Sequence, residues 1–506
     1  MTSPRVLPED AFNRTLIENV HPPDWKNPRP SGRYNLVVVG AGSAGLISAL
    51  VASSLGAKVA LVERHLMGGD CLNVGCVPSK ALIRQSRRVA EARELGPLGL
   101  APSPEMLPNF DAAMRRVREV RARISPEDSA RRYRDEFGID VYLGNARFLD
   151  GDEVDVDGTR LRFAKAVIAT GGRPVAPPIE GLAEAGYLTN ETIFERTARP
   201  NRFGVVGSGP IGCELAQAFQ RLGSAVTVFE MADQVLIRED PDAAAIVQAA
   251  LQRDGVDLRL GHSVVRVEKK GDERVVHVRA SGGIETQVAV DEVLVAVGRA
   301  PNVEDLGLER VGVAVDRHGV VVDDFLRTTN PRIFAAGDVC MRWQFTHAAD
   351  AAAKIVVQNA LFFGRKKLSS LVMPWCTYTD PEIAHVGTYA RDAEAAGIDI
   401  DTYQVPLERN NRAVSDGEDE GFVKVLTRKG KDTIVGATVV AAHAGEMISP
   451  LTLAITQGIG LGKFTDVIQP YPTQAEAIKA VAGAYTKTRL TPTVAKAFRF
   501  LMRLRR

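Results

Sequence analysis

An α/β fold is predicted for this chain by an internal repeat, by the glycine pattern inside each copy, and by a length of 506 residues with ordinary globular composition. Asn35–Val39 reads as a buried strand. It is followed by Gly40-Ala41-Gly42-Ser43-Ala44-Gly45, a helix of small residues, Gly56, and a second strand ending at Glu63. Arg202–Val206 opens the same series, with Gly207-Ser208-Gly209-Pro210-Ile211-Gly212, a helix, Gly223 and a strand ending at Glu230. Every landmark is displaced by 167 residues, from 40 to 207 and from 63 to 230. At roughly 150 residues per domain, the length accommodates about three to four domains.

The chemistry explains the spacing. The first glycine of each motif makes a tight turn, the second lets backbone approach a pyrophosphate, and the third lets helix pack on strand. The helix N-terminus then offers unsatisfied N–H groups and partial positive charge to the phosphates. In both copies an acid follows the last glycine by 18 residues, where it can accept the hydroxyls of a ribose. Two dinucleotide sites in one chain suggest electron transfer between a flavin that stays bound and a nicotinamide that comes and goes. Gly337-Asp338, after the strand-like Arg332–Ala336, places a carboxylate where a flavin's ribityl chain could bind. Leu36–Ala57 is a 22-residue stretch without charge, but its three motif glycines make a strand, turn and helix the better account than a membrane span.

Composition excludes several classes. Forty-five per cent hydrophobic and 25% charged residues are not those of a disordered or fibrous chain. A net charge of +1 gives no case for nucleic acid, and five cysteines are too few for a disulfide-stapled secreted scaffold. The N-terminal residues, with Glu9, Asp10 and Glu18, do not read as a signal peptide, so a cytoplasmic location is expected. Charge is uneven: the last 30 residues hold eight Lys/Arg and no acid, whereas residues 1–476 hold 55 basic and 62 acidic groups.

Cysteine spacing points to the chemistry. In Gly68-Gly69-Asp70-Cys71-Leu72-Asn73-Val74-Gly75-Cys76-Val77-Pro78-Ser79-Lys80, two cysteines stand five apart. In a regular helix their Cα atoms would be ~8.6 Å apart, whereas a disulfide tolerates at most about 7 Å. If they bridge, the helix must be distorted, and Gly75 with Pro78 supplies the means. A strained, reducible bridge suits a redox relay. Metal binding competes, but no neighbouring Cys or His completes the usual zinc set, and no metal site is expected.

This stretch resembles the active site of the flavin-dependent pyridine nucleotide–disulfide oxidoreductases, which include dihydrolipoamide dehydrogenase, glutathione reductase and mercuric reductase. The resemblance extends over nearly the whole chain after Tyr34. Ala169-Thr170-Gly171-Gly172 looks like the family's flavin-domain crossover and Val297-Gly298-Arg299-Ala300-Pro301-Asn302 like the end of its nicotinamide domain. Ala336-Gly337-Asp338 looks like its second flavin motif, and Tyr378-Thr379-Asp380-Pro381-Glu382 like the opening of its dimerisation domain. The resemblance implies two nested Rossmann-like domains for FAD and NAD(P), plus a C-terminal α+β dimerisation domain. The corresponding boundaries are an N-terminal extension at 1–33, FAD-binding parts at 34–187 and 304–372, an NAD(P) domain at 188–303, dimerisation at 373–486 and a basic tail at 487–506.

By the same resemblance, hydride passes from nicotinamide to flavin, and two electrons then pass to a Cys71–Cys76 disulfide. Cys76 would be the flavin-proximal thiolate, Cys71 the thiol that meets substrate, and Lys80 the partner of Glu214 beside the flavin. FAD contacts fall on Gly40, Gly42, Gly45, Glu63, Gly69, Asp70, Lys80, Ala146, Thr170, Gly171 and Asp338. Nicotinamide contacts fall on Gly207, Gly209, Gly212, Glu230 and Gly298. The active site of such a homodimer is shared, with Tyr471 and Glu476 contributed by the other subunit. Cys213, Cys340 and Cys376 are expected to be small buried hydrophobes.

The chain departs from its thiol-reducing relatives near the C-terminus. Where these carry a His–Pro–x–x–x–Glu-type signature, this sequence reads Gln469-Pro470-Tyr471-Pro472-Thr473-Gln474-Ala475-Glu476, with Tyr471 in place of the acid/base histidine. A phenol of pKa about 10 is a poor proton shuttle near pH 7. Mercuric reductase also uses a tyrosine here, but this chain lacks that enzyme's C-terminal vicinal cysteines, having none after Cys376. The reading is therefore a mercuric-reductase-like flavoprotein that passes electrons to a metal ion or another small acceptor. Dihydrolipoamide dehydrogenase-type thiol chemistry is one alternative, and a membrane-associated flavin-binding component without turnover is another. Glu230 would repel a 2′-phosphate and favours NADH, while Arg238, eight residues on, leaves NADPH open.

The remaining segments carry less. Residues 1–33, with six prolines and Trp25, read as an extended arm, and the Arg-rich stretch Arg115–Arg134 reads as a solvated helix face. In Thr493–Arg506, Val494, Phe498, Leu501 and Leu504 recur at helical intervals among Lys496, Arg499, Arg503, Arg505 and Arg506. Packing on the dimer body and contact with an anionic membrane surface are both compatible with such a basic amphipathic helix.

Overall fold

In the computed structural model, which describes residues 4–100 and 108–506, the first strand–turn–helix–strand unit forms as the repeat requires. β1 (Arg33–Val39) pairs in parallel with β2 (Val59–Glu63), Leu36 opposite Val59 and Val39 opposite Val62, with α2 (Ser43–Ser54) between them in sequence. The hydrophobic run of β1 suits a strand covered on both faces, and Leu36–Val38 are fully buried. β3 (Asp140–Leu143) extends the sheet beyond β2. On the other side follow β6 (Thr159–Ile168), β5 (Glu153–Val156) and β4 (Ala146–Asp150), giving the order β3-β2-β1-β6-β5-β4. The strand Ile333–Ala335 returns to pair in parallel with the end of β6. That return brings Asp338 to the carboxyl ends of the parallel strands, where open α/β sheets bind ligands.

Small residues let α2 lie close to the sheet. A Cβ on Gly45 would fall 1.7 Å from the Gly40 carbonyl oxygen, so the third glycine of the motif is fixed by packing. The second copy is built alike: a Cβ on Gly212 would lie 2.0 Å from the Gly207 oxygen. Its parallel sheet runs Asp257–Arg259, Ala225–Phe229, Arg202–Val206, Glu292–Val295, and a three-stranded antiparallel sheet follows Asp257–Arg259 in the chain.

Two compact units result, one of the residues up to Met231 with Asp257–Leu371, the other of Ala232–Val256 with Val372–Arg506. The second unit is organised on a five-stranded antiparallel sheet ordered Pro374–Thr377, Glu382–Gly387, Ile434–Ala441, Phe422–Arg428, Ile400–Pro406. Lys424 of that sheet is held by Asp240 (2.6 Å) and Asp242 (2.8 Å) at the start of the helix Pro241–Arg253. The helix Glu476–Thr488 buries Ala477, Ile478, Val481 and Ala482, whereas Pro492–Leu504 buries no residue at all. Among the described residues no helix is long and apolar enough to cross a membrane.

Three sequence expectations change. Of the cysteines expected to be buried only Cys213 is, Cys340 and Cys376 being partly exposed. The N-terminal arm is not wholly extended: α1 (Ala11–Val20) forms in it, with Asp10 accepting from the Asn13 N–H at its N-cap and Leu16 and Val20 fully buried. The arginine-rich stretch is not simply a solvated face either. It contains α5 (Phe110–Ile124), whose Arg118 and Arg121 are buried, because the arm supplies acceptors that local periodicity cannot reveal. Because no Cβ fits at Gly45, Gly45→Ala is expected to destabilise the protein by about 1–3 kcal/mol. A lowered denaturant midpoint with unchanged slope would show it.

Candidate functional site

The two cysteines lie either side of a helix break. α3 (Gly69–Asn73) stops at Val74, and α4 (Cys76–Arg93) starts afresh with Gly75 as its N-cap. A Cβ on Gly75 would sit 2.8 Å from the Asp70 carbonyl oxygen, so only glycine lets the chain fold back against α3 here. The distortion expected from the spacing is thus present, and it places Cys76 in the first turn of an 18-residue helix, where the helix dipole favours an anion.

Both cysteines are thiols in this structure. The hydrogen bond with Cys71, the Thr346 hydroxyl 3.4 Å from its sulfur and the nearby Lys80 ammonium hold Cys76 below the ordinary thiol range, against the opposing effect of burial. The same mutual hydrogen bond and burial push Cys71 upward. One sulfur is therefore prepared as thiolate and the other keeps its proton. Lys80 is itself bound to the buried Glu214 at 2.8 Å, the contact the family resemblance implies, through the facing of α4 and the helix Pro210–Arg221.

A cavity of about 360 Å³ opens at the end of the first repeat. Gly40, Glu63, Ala146 and Thr170 line it, with Arg64, Asn145 and Arg173. Glu63 accepts from the N–H groups of Ala41 (2.7 Å) and His65 (2.8 Å), and burial nevertheless pushes its carboxyl upward. Gly42 caps α2 without a side chain, and a Cβ on Gly69 would lie only 2.7 Å from the Gly42 Cα. Gly171, at φ +69°, has open space where a Cβ would stand. Farther along, the largely buried Asp338 carboxyl is pushed upward by burial, with the Arg299 guanidinium 3.4 Å away opposing it. Arg299 also donates to the Gly172 carbonyl (2.9 Å) and pairs with Asp70. A side-chain-free helix N-terminus, an acid at the strand end and a buried carboxyl beyond it suit an elongated dinucleotide, so the residues fit FAD.

The second motif repeats the geometry. Glu230 accepts from the Ser208 N–H and hydroxyl at 2.8 and 2.9 Å, as Glu63 does from Ala41. Gly209 caps its helix without a side chain, and neither Gly209 nor Gly298 has any atom within 4 Å of a Cβ built on it. Tyr471 and Glu476 stand in the other compact unit. They line a cavity of about 280 Å³ with Asn411, which donates to the Tyr471 hydroxyl at 2.9 Å, and with Arg409 and Lys479.

Residues 34–353 match the family described as pyridine nucleotide-disulphide oxidoreductase, and 373–482 match its dimerisation domain. The chain belongs to this family. It is 34% identical over 460 residues to a mercuric reductase of Staphylococcus aureus, covering 90% of this chain and 83% of that protein. It is equally identical over 460 residues to a dihydrolipoyl dehydrogenase of Thermus scotoductus, covering 90% and 98%. Among solved structures it is similar to the HOCl-induced flavoprotein disulfide reductase RclA of Escherichia coli (TM-score 0.80, 29% identity, 89% of this chain and 99% of that one). LpdA of Mycobacterium tuberculosis is similar to the same extent (TM-score 0.81, 28% identity, 89% and 99%). The protein is accordingly an FAD-dependent pyridine nucleotide–disulfide oxidoreductase, and its dimerisation domain is that of a homodimer.

Two functional side chains escaped sequence reasoning. Thr346 reaches Cys76 from 270 residues away, and no local signal marks it. Arg299 lies inside a motif that was legible, but its bridge between Asp70 and Asp338 is a tertiary fact. Since the thiolate is held chiefly by Cys71, it should persist into mildly acidic solution and be lost as pH falls through the lowered pKa of Cys76. Cys71→Ala should slow alkylation of Cys76 at pH 7 about tenfold, as loss of one hydrogen bond to a charged group implies. Iodoacetamide kinetics against pH measure this directly.

Proposed function

We propose that this oxidoreductase delivers electrons from NADH to a metal ion or another small acceptor, in the manner of the mercuric reductases. The observation that carries this reading is the exposed Tyr471, a phenol, where thiol-reducing relatives hold an imidazole. Likeness to mercuric reductases over 90% of the chain supports it, as does likeness to RclA, whose structure includes a Cu(II) complex.

The bound flavin supplies two-electron exchange between the nicotinamide and the disulfide. The chain's own residues then divide the work. Asp338, Glu63 and the glycines Gly40, Gly42, Gly45, Gly69 and Gly171 hold FAD, with Ala146, Thr170 and Asp70 beside them. Gly207, Gly209, Gly212, Glu230 and Gly298 hold the nicotinamide coenzyme. Glu230, already a carboxylate acceptor, disfavours a 2′-phosphate, which selects NADH. Cys76 keeps the thiolate with the help of Lys80, which Glu214 orients, and Cys71 presents its sulfur to the acceptor. Tyr471 and Glu476 of the homodimer bind the acceptor without shuttling a proton. Each NADH oxidised to NAD⁺ releases one proton and two electrons, enough to reduce one Hg(II) to Hg(0) or two Cu(II) to two Cu(I).

Anaerobic titration of the yellow protein with NADH should give a long-wavelength thiolate-to-flavin band that Cys76→Ser abolishes. Steady-state assays should show Hg(II) or Cu(II) reduction exceeding lipoamide reduction at least tenfold, with NADH preferred to NADPH. Lipoamide turnover at a comparable rate would overturn the metal reading in favour of dihydrolipoamide dehydrogenase chemistry. Bleaching without the band would overturn the relay.

We propose further that the tail makes peripheral membrane contact, packing on the dimer body being the alternative. Phe498, Phe500, Leu501, Met502 and Leu504 on the helix Pro492–Leu504 are all exposed, and Lys496, Arg499 and Arg503 are its only charges. That pattern matches an anionic lipid surface. Deleting 487–506 should abolish binding to phosphatidylserine vesicles and leave NADH turnover unchanged. Retained binding would refute membrane contact.

A further inference from the structure

Residues before Tyr34 lie outside both family matches, yet they touch both ends of the segment that carries Cys71. On the near side, the Met67 N–H donates to the Val20 carbonyl at 3.2 Å, and the His21 ring pairs with the His65 carbonyl. On the far side the link runs through Arg121. This guanidinium donates to the Asn13 side-chain oxygen at 2.9 Å and to the carbonyl of Asn73, the last residue of α3, at 2.8 Å. Asn73 in turn donates to the carbonyls of Met67 (3.1 Å) and Gly69 (2.8 Å), closing the segment into one hydrogen-bonded loop.

Arg121 is unusual in being a fully buried cation with no carboxylate in ion-pair contact among the described residues. Its charge is met by oxygens: the Asn13 amide and the Asn73 carbonyl. Its Nε has no partner, so no acceptor is spare. Asn13 is itself fixed, its N–H by Asp10 (2.9 Å) and its amide N–H by the Pro8 carbonyl (2.8 Å), and Asp10 also receives Arg118 at 2.6 Å. Losing the Asn13 oxygen would leave a buried charge half satisfied, which costs more than an ordinary hydrogen bond and is relieved only by moving Arg121.

We propose that the N-terminal arm is a positioning element of the redox centre, with Asn13 acting through Arg121 to fix the end of α3 and so the register of Cys71 against Cys76. This rests on the reading of the two cysteines as a redox pair. Cys71 is the largest influence holding the Cys76 thiolate, so freeing the end of α3, which carries Cys71, shifts the two sulfurs relative to one another and weakens that thiolate.

The test uses the full-length holoenzyme. Asn13→Leu keeps the apolar face of α1 but removes the acceptor. It should slow iodoacetamide alkylation of Cys76 at pH 7 about tenfold, move the acidic edge of the alkylation profile upward, and weaken the thiolate-to-flavin band. Asn13→Asp, which restores an acceptor for Arg121, should return all three towards wild type. If Asn13→Leu does not fold, Asn13→Ala, which likewise removes the acceptor, is read the same way. A lower melting temperature with a wild-type alkylation profile and band would show a merely structural arm and overturn the proposal. A wild-type protein with neither band nor reactive Cys76 would instead defeat the redox reading, and this inference with it.

Discussion

The interruption of the helix at Val74-Gly75 is the constraint on which the rest depends. Without it, two cysteines five residues apart would point from one continuous helix with their sulfurs out of reach. With it, α3 ends, α4 begins, and Cys76 becomes a helix N-terminal residue whose thiol is lowered by its Cys71 neighbour. Gly75 makes the break possible because any Cβ there would press on the Asp70 carbonyl. The asymmetry of the two thiols, one favoured as anion and one as acid, follows from this local geometry and from Lys80 and Thr346 brought beside it.

Around that break, the first compact unit aligns three independent devices. The glycine turn after β1 and the acid ending β2 form one end of an elongated site. Asp338, delivered by the strand Ile333–Ala335 joining the sheet at β6, forms another part. Arg299 then ties Asp70, beside Cys71, to Asp338, so the cysteine segment and the carboxylate site share one cation. The arm adds a second brace on the opposite side of the same segment through Arg121.

The contrast between Arg121 and the tail shows how the same residue types serve opposite ends. On α5, arginine is buried because amide and carbonyl oxygens meet its donors. On the helix Pro492–Leu504, arginine stays in solvent and the apolar residues beside it are exposed as well, since nothing in the unit covers them. Periodicity alone describes both helices as amphipathic and basic. Only packing distinguishes a structural cation from a surface one.

By itself the sequence determined the repeat, the glycine turns with their acids Glu63 and Glu230, and the need for a break between Cys71 and Cys76 if they bridge; the pairing of Lys80 with Glu214 came only from the family resemblance. Set against the family's signature, it also placed Tyr471 where the thiol-reducing relatives carry histidine. The repeat, the turns and the break rest on short-range spacing or on a motif whose residues are neighbours in the chain, whereas Lys80 and Glu214 stand 134 positions apart. Tertiary structure decided what depends on distant segments meeting: Thr346 against Cys76, Arg299 between Asp70 and Asp338, and the folding of the arm as α1 with Asn13 on a buried arginine. A hydrogen bond between residues 108 or 270 positions apart leaves no periodic trace, because its partners are chosen by the packing of whole elements and not by the local chain.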